Sequence, residues 1–402
     1  MAWTQAEIEA IRGQLHEIGA SKVFQSAGRM AALLSYLVDA ELNGEAAQLN
    51  QSRVAIDVLG RNETFDPSED SIVRVEMGRL RSKLLEYYAN EGKSATVFIE
   101  LPKGRYKPLL AFRATDANKA SDFRQEIKFC RAADGVALAY AMSGQGIPLV
   151  KASNWLTHLE FDVQSPVWRH WWHGFSRRHR LIRYDPRGCG LSDWEVPDIS
   201  FEKLVCDLEC VANHAAPEKF ALLGTSQGVS LAIAYAVRHP ERVSHLILYG
   251  GSARGSLKRG DTEREDTHHL LQDIIRVGWG QPHGAFRHVF GAIFMPEGTN
   301  EQFRWFDELS RASMSAENAA RMRHCMAGVS VEPLLQDVKV PTLILHAADE
   351  ILVPFAEARL LAARIPGARL VPLDSKNHLI LEQEPAWAKL LDEVESFTSS
   401  TD

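Results

Sequence analysis

Ser226 stands in Gly224-Thr225-Ser226-Gln227-Gly228, between an apolar run at 220–223 and a helix-forming run at 229–237. Glycines two residues to either side permit a strand-to-helix turn too tight for a Cβ on either flank. Such a turn lifts a serine Oγ off the sheet, to where a histidine base can reach it. It also aims the N–H groups at the start of the helix toward the point where an oxyanion would form. Residue types and spacing together read as a nucleophile elbow, with Ser226 as the nucleophile.

Two segments of different pattern must carry this site. Helical periodicity covers residues 5–18, 27–43, 52–59 and 71–89, the last closed off by Asp66-Pro67 and capped by Asp70 and Ser71. Two short strands at 95–101 and 105–112 flank a Pro102-Lys103-Gly104 turn. The small, polar, aperiodic stretch Ala114–Ser121 marks a linker, so the expected division is 1–113, a linker at 114–124, and 125–402. Beyond the linker, strand runs at 127–132, 136–141, 148–151, 181–184, 220–223, 245–249, 342–346 and 369–372 alternate with helices. That alternation predicts an α/β fold with a mostly parallel sheet. The segment at about 252–335 reads as almost entirely helical and as a lid over the sheet's C-terminal edge.

The chain has 402 residues, enough for two cores, with ordinary apolar (45%) and charged (24%) fractions. No apolar run approaches 18 residues, and the first residues show neither a basic nor an apolar leader pattern, so neither a membrane association nor a secretory signal is expected. The five cysteines are odd in number and scattered, which suits a reducing cytoplasm. Cys206 and Cys210 share a helix face with no neighbouring histidines or second cysteine pair, and read as packing thiols rather than metal ligands. The histidines and tryptophans of 168–179 read as helix packing, not as a metal or haem site. No cofactor and no metal is called for. The net charge of −7 argues against a protein that coats nucleic acid, yet residues 71–113 hold nine basic against four acidic side chains.

Residues 125–400 resemble the α/β-hydrolase superfamily in motif order and element succession. Its members run nucleophile, acid, histidine along the chain, which here implies Ser226, then Asp349-Glu350, then His378 in Ser375-Lys376-Asn377-His378-Leu379. The resemblance makes His378 the general base. A register set by His346 and Pro354 favours Glu350 as the acid, with Asp349 the alternative one residue earlier. The oxyanion hole is expected to use the backbone N–H of Gln227 and that of Trp155, in the loop 152–158. Where the family usually places a His-Gly or Pro-Gly pair in that loop, this chain has Ser153-Asn154; asparagine tolerates unusual backbone angles and offers a way to keep the turn without the glycine. Asp185 and Arg187 are expected to fix the glycine-rich loop 185–192 structurally. The lid aromatics Trp279, Phe286, Phe290, Phe294, Trp305 and Phe306 suit either an apolar pocket or the lid's own core.

In the N-terminal segment, Val73, Met77, Leu80 and Leu84 form one helical stripe, and Ser71, Arg74, Gly78, Arg79 and Ser82 face away from it. Arginines with small neighbours on an outward face suit a DNA major groove, and a basic hairpin suits the adjacent backbone. Residues 71–110 look like the winged-helix domain of OmpR-type response regulators: Val73, Val75, Arg79, Leu80, Arg81, Lys83 and Leu84, then Gly104 and Tyr106, stand at the matching positions. The small N-terminal sheet of that family is not evident, and no receiver domain is present. The resemblance implies DNA contact through Arg74, Arg79, Arg81, Lys103 and Arg105. Taken together, the expectation is a one-component transcriptional regulator, acting as a homodimer on double-stranded DNA. Its hydrolase-fold sensor would bind and hydrolyse a small apolar ester or lactone. The alternative is an intracellular esterase or lactonase whose N-terminal module serves assembly; a third is a non-catalytic ligand-binding protein.

Overall fold

The computed structural model describes residues 3, 5–25, 27–67, 70–92, 95, 97–102, 106–112, 123–260, 262–279 and 285–400. The chain forms two compact units, Met1–Asp122 and Phe123–Asp402.

The first unit runs α1 (Gln5–Ala20), α2 (Gly28–Leu42), α3 (Gln51–Asp57) and α4 (Ile72–Ala89), then β1 (Val97–Glu100) and β2 (Leu109–Phe112). The two strands pair antiparallel, with Val97 opposite Phe112 and Glu100 opposite Leu109. Asn50 caps α3 by accepting the Arg53 N–H at 3.0 Å. At the start of α4 it is Asp70 that accepts the Ile72 N–H, at 2.9 Å, while Ser71 makes no side-chain cap. Val73, Met77, Leu80 and Leu84 are all buried and join Leu33, Leu37, Val54 and Ile99 in a core of their own. The opposite face of α4 leaves Ser71, Arg74, Val75, Arg79 and Ser82 exposed. Arg81 departs from expectation. Its guanidinium donates to the carbonyls of Leu101 (2.7 Å) and Pro102 (3.0 Å), bracing α4 against the end of β1 instead of facing outward. Lys103 and Arg105, the expected wing contacts, lie outside the described residues, as does the linker up to Asp122.

The second unit is built on an eight-stranded sheet. Its strands are β3 (Gln125–Arg131), β4 (Ala137–Ser143), β5 (Ile147–Ala152), β6 (His179–Tyr184), β7 (Phe220–Thr225), β8 (Val243–Tyr249), β9 (Thr342–Ala347) and β10 (Arg369–Leu373). They lie in the order β10-β9-β8-β7-β5-β6-β4-β3; β3 and β4 form an antiparallel hairpin, β4 pairs antiparallel with β6, and every other pairing is parallel. Every residue of β7 and of β9 is buried, as central parallel strands covered on both faces require. The helices that cover them are α5 (Arg169–Ser176), α6 (Phe201–Ala215), α7 (Gly228–Arg238), α12 (Phe355–Arg364) and α13 (Pro385–Ser399).

Between β8 and β9 the chain leaves the sheet for α8 (Thr262–Gly278), α9 (Ala285–Phe294), α10 (Asn300–Ser313) and α11 (Ala316–Ala327). The insertion closes at its base. Gly255 N–H donates to Val329 O and Val331 N–H to Ala253 O, both at 2.8 Å, so its entry and exit strands are tied together. No helix among the described residues is long and apolar enough to cross a membrane.

Candidate active site

The turn between β7 and α7 has the predicted form. Ser226 adopts φ +53°, a left-handed conformation that costs a non-glycine residue about 1–3 kcal/mol and persists only where surroundings enforce it. Ser226 N–H is held by the Tyr249 carbonyl at 2.8 Å. A Cβ on Gly224 would lie 2.8 Å from Gly228 O and 2.9 Å from Ala232 Cβ; one on Gly228 would lie 2.7 Å from Ser153 O. Both glycines are therefore needed for close approach of backbone to backbone.

His378, in the loop after β10, places Nε2 2.9 Å from Ser226 Oγ and Nδ1 2.5 Å from Glu350 Oε2. With the Nδ1–H donated to the carboxylate, Nε2 is left as acceptor for the serine proton, the arrangement that general-base activation of a serine requires. Glu350 and His378 are buried, whereas Asp349 is exposed, its backbone N–H held by Ser375 O. One residue of register separates the two acids, and only Glu350 reaches the histidine. Burial pushes the Glu350 carboxyl up, but His378 and His346 outweigh it and hold the group below its ordinary value. His346 Nε2 donates to the Val353 carbonyl at 2.9 Å, holding the end of the acid loop, and lies 2.9 Å from Glu350 Oε1.

Several further residues hold this chain in place that their sequence positions did not reveal. Tyr249 Oη donates to the His378 carbonyl at 2.6 Å. The Phe294 carbonyl, at the end of α9, accepts the N–H groups of His378 (2.9 Å) and Leu379 (3.2 Å), so the lid is tied to the histidine loop. Nothing in the spacing of Tyr249 or Phe294 announces these contacts, because both depend on where the insertion folds back.

Trp155 and Gln227, the expected oxyanion donors, line one cavity with Ser226. Gln227 immediately precedes α7, where N–H groups lack acceptors within the helix. In the facing loop the unusual backbone angle falls on Leu156 (φ +61°) and not on Asn154, which corrects the expectation that Asn154 substitutes for the missing glycine by its conformation. Asn154 serves through its side chain instead: Oδ1 accepts from the buried Lys151 Nζ, and Nδ2 donates to Trp155 O at 3.0 Å. Burial pulls the Lys151 ammonium down to about 7, with Asp162 acting against that.

The cavity, of about 110 Å³, is covered by lid residues Phe294, Phe306, Met326 and Arg323. An engineered protein cavity of about 150 Å³ accommodates benzene, so a space of this size suits a small acyl group or lactone ring. The lid aromatics divide: Phe294 and Phe306 line the cavity, Trp279 and Phe290 pack on Trp155, and Trp305 packs on Phe161 at 4.1 Å. The Phe286 side chain lies outside the described residues.

The other sequence motifs settle elsewhere. Arg187 is buried and forks onto Asp207 (2.6 and 2.9 Å) and Asp134 (2.9 Å), while Asp185 accepts the Leu191 N–H at 2.9 Å. His170 and Trp171 both donate to the Ile380 carbonyl at 3.0 Å, behind the histidine loop. The cysteine reading needs correction in its surroundings. Cys206 and Cys210 stand four residues apart on α6 and are both only part-buried, and Cys210 has a second thiol and a histidine near it: Cys130 at 3.5 Å and His214 Nδ1 at 3.9 Å. Cys130 arrives from β3, which spacing along α6 cannot anticipate; burial lifts its thiol to about 12.

The sequence profile of the alpha/beta hydrolase fold matches residues 161–385, more than half of the chain. The chain belongs to the α/β-hydrolase family. Relatives of this hydrolase include the AB hydrolase superfamily protein YisY of Bacillus subtilis, 27% identical over 239 residues, covering 58% of this chain and 86% of that one. The 3-oxoadipate enol-lactonase 2 of Acinetobacter baylyi is 25% identical over 271 residues, covering 65% and 94%. Among solved structures, an esterase from Exiguobacterium antarcticum superposes with a TM-score of 0.57 at 24% identity, over 68% of this chain and 99% of its own. At that identity the likeness speaks for the fold alone. The profile match lies within the second unit.

Proposed function

We propose that this α/β hydrolase is a serine hydrolase of small carboxylic esters or lactones. Ser226 is the nucleophile, His378 the general base and acid, and Glu350 the group that orients His378; the Gln227 and Trp155 N–H groups hold the oxyanion. The observation that carries the reading is the unbroken Ser226–His378–Glu350 hydrogen-bond chain at the floor of a lidded cavity. Relatives named as an enol-lactonase and as carbamate hydrolases support an acyl-transfer chemistry of this kind. Ser226 Oγ attacks the carbonyl as His378 takes its proton; His378 returns that proton to the leaving oxygen, and water then releases the acyl group. A fluorophosphonate probe is expected to label the wild-type protein and not Ser226→Ala. Turnover of short p-nitrophenyl esters should fall to the residual that oxyanion contacts and binding alone supply, about 10³–10⁴ over water. Undiminished ester turnover in Ser226→Ala refutes the assignment.

A second reading concerns the first unit, and the exposed Arg74 and Arg79 on α4 favour it. That face would contact double-stranded DNA, in a twofold arrangement if the protein dimerises, and ligand in the hydrolase cavity would then tune DNA affinity. The rival role for this unit is assembly. Mobility shifts on DNA upstream of the protein's own gene separate the two: DNA binding should weaken with salt by roughly 0.9 log–log units per phosphate contacted, and Arg79→Ala should flatten that slope. Absence of any shift at low salt leaves assembly.

A further inference from the structure

The cavity above Ser226 is lined by cationic and hydrogen-bond-donating groups. Among the described residues that line it there is no Asp or Glu, while Arg259, Arg323 and His268 do. Arg259 is engaged, its guanidinium donating to Arg254 O (3.0 Å) and Ser252 Oγ (2.9 Å). Arg323, on α11, is different. The residue as a whole is part-exposed, but its Nε is sealed from solvent and has no acceptor among the described residues. Burial pulls the guanidinium down to about 10, still charged at neutral pH, and no carboxylate among the described residues offsets it.

His268, on α8, is 1% exposed, and neither ring nitrogen has a partner among the described residues. Burial, helped by Arg323, pulls its imidazole down to about 4, so it is neutral and holds one N–H to give. Trp155 and Trp168 line the same cavity and each buries an indole N–H without an acceptor among the described residues. Buried donors left without an acceptor are costly and rare in folded proteins. The residues that carry them line one cavity. The Arg323 guanidinium also sits 5.9 Å above the ring of Trp155, whose backbone borders the reacting centre.

We infer that the substrate carries a carboxylate of its own, bound by Arg323 and His268, so that the hydrolase acts on acidic esters or lactones in preference to neutral ones. A guanidinium fork matches a carboxylate in shape and charge, and a site built to bind such a group discriminates sharply against analogues that lack it. Held there, the carboxylate would anchor the acyl part of the substrate while its ester carbonyl lies at Ser226. This deepens the ester or lactone reading and rests on it for the reaction, though not for the binding.

Two measurements test the inference separately from that reading. The first compares kcat/KM for the mono-p-nitrophenyl esters of succinate, glutarate and adipate with the neutral butyrate, valerate and hexanoate esters. At least one acidic ester should be preferred. In Arg323→Met the acidic-to-neutral ratio should drop by about 10- to 100-fold, the value of a charge-assisted hydrogen bond. The second titrates succinate, glutarate and adipate into Ser226→Ala protein by calorimetry, with inorganic phosphate as comparison, and repeats it in Ser226→Ala/Arg323→Met. Dicarboxylate binding that needs Arg323 upholds the inference even if no ester is turned over, in which case the hydrolase reading alone fails. Neutral esters preferred with no dicarboxylate bound overturns it, and so does phosphate bound as well as dicarboxylate. Arg323→Lys keeps the charge without the fork, and partial recovery of the ratio would exclude a folding artefact in Arg323→Met.

Discussion

Glu350 and Asp349 are adjacent in sequence and opposite in circumstance. One is buried against two histidines; the other is exposed. Glu350→Gln keeps the shape but loses the charge that steadies a His378 imidazolium, and it no longer dictates which ring nitrogen carries the proton. Turnover is expected to fall about 10⁴-fold, whereas Asp349→Asn should leave kcat/KM close to wild type. Steady-state kinetics on one ester decides it, and the reverse ranking would give the role to Asp349. Because the carboxyl is held below its ordinary value, Glu350 stays ionised through the neutral range. Its stabilising contribution is present above the unfolded-state pKa and is lost only as pH falls through the lower folded-state value.

At the scale of elements, the site is an agreement between β7, α7 and the loop after β5. Gly228 lets the start of α7 approach the carbonyls of Ala152 and Ser153, at 3.0 and 2.7 Å from where a Cβ would stand. Gly228→Ala must push the helix and the Trp155 loop apart, enlarging the oxyanion hole. Since a misplacement of about 1 Å at a reacting centre can cost roughly 100-fold, kcat should drop by that order while the protein still folds. Gly13→Ala, in α1 with nothing within 4 Å of the added methyl, serves as the contrasting substitution. It should raise stability of the first unit by about 0.5–1 kcal/mol, as expected for alanine in a helix interior. Equal kinetic losses in the two variants would remove the geometric explanation.

On the scale of the whole second unit, titratable groups buried behind the site tie stability to pH. Burial pulls His170 down to about 3 while its ring is held by the Ile380 carbonyl. Its folded-state pKa is lower than the unfolded one, so the unfolded chain binds more protons below about 6.5, and the residue costs stability as pH falls from there. His170→Gln can still donate to Ile380 and cannot titrate. Relative to wild type, the variant should gain roughly 1–2 kcal/mol between pH 7 and pH 5, read as a rise in the difference of Tm. The buried Asp162, raised to about 7 by burial, works in the opposite sense over the same range but is common to both proteins and cancels. A Tm difference that is the same at both pH values would refute the assignment.

Much of this hydrolase was legible before folding, and for local reasons. The elbow is encoded in five consecutive residues, since the steric demand of a tight turn falls on the glycines beside Ser226. Strand runs such as 220–223 and 342–346 announced a buried parallel sheet because such strands need apolar side chains on both faces. The stripe Val73, Met77, Leu80, Leu84 likewise announced the buried side of α4 through helical spacing alone. What depends on segments far apart in the chain could only be decided in three dimensions. The contacts separating Glu350 from Asp349 span 28 residues to His378, and the Cys130–Cys210 approach spans 80. Arg81 sits in the same basic run as Arg74 and Arg79, yet the end of β1 offers it two carbonyls and turns it inward. The same holds for the character of the cavity. Arg323 and His268 lie on two lid helices with no motif around them, and they acquire meaning only because the folded lid brings both to the cavity above Ser226, where Arg323 Nε and the His268 ring nitrogens have no hydrogen-bond partner among the described residues.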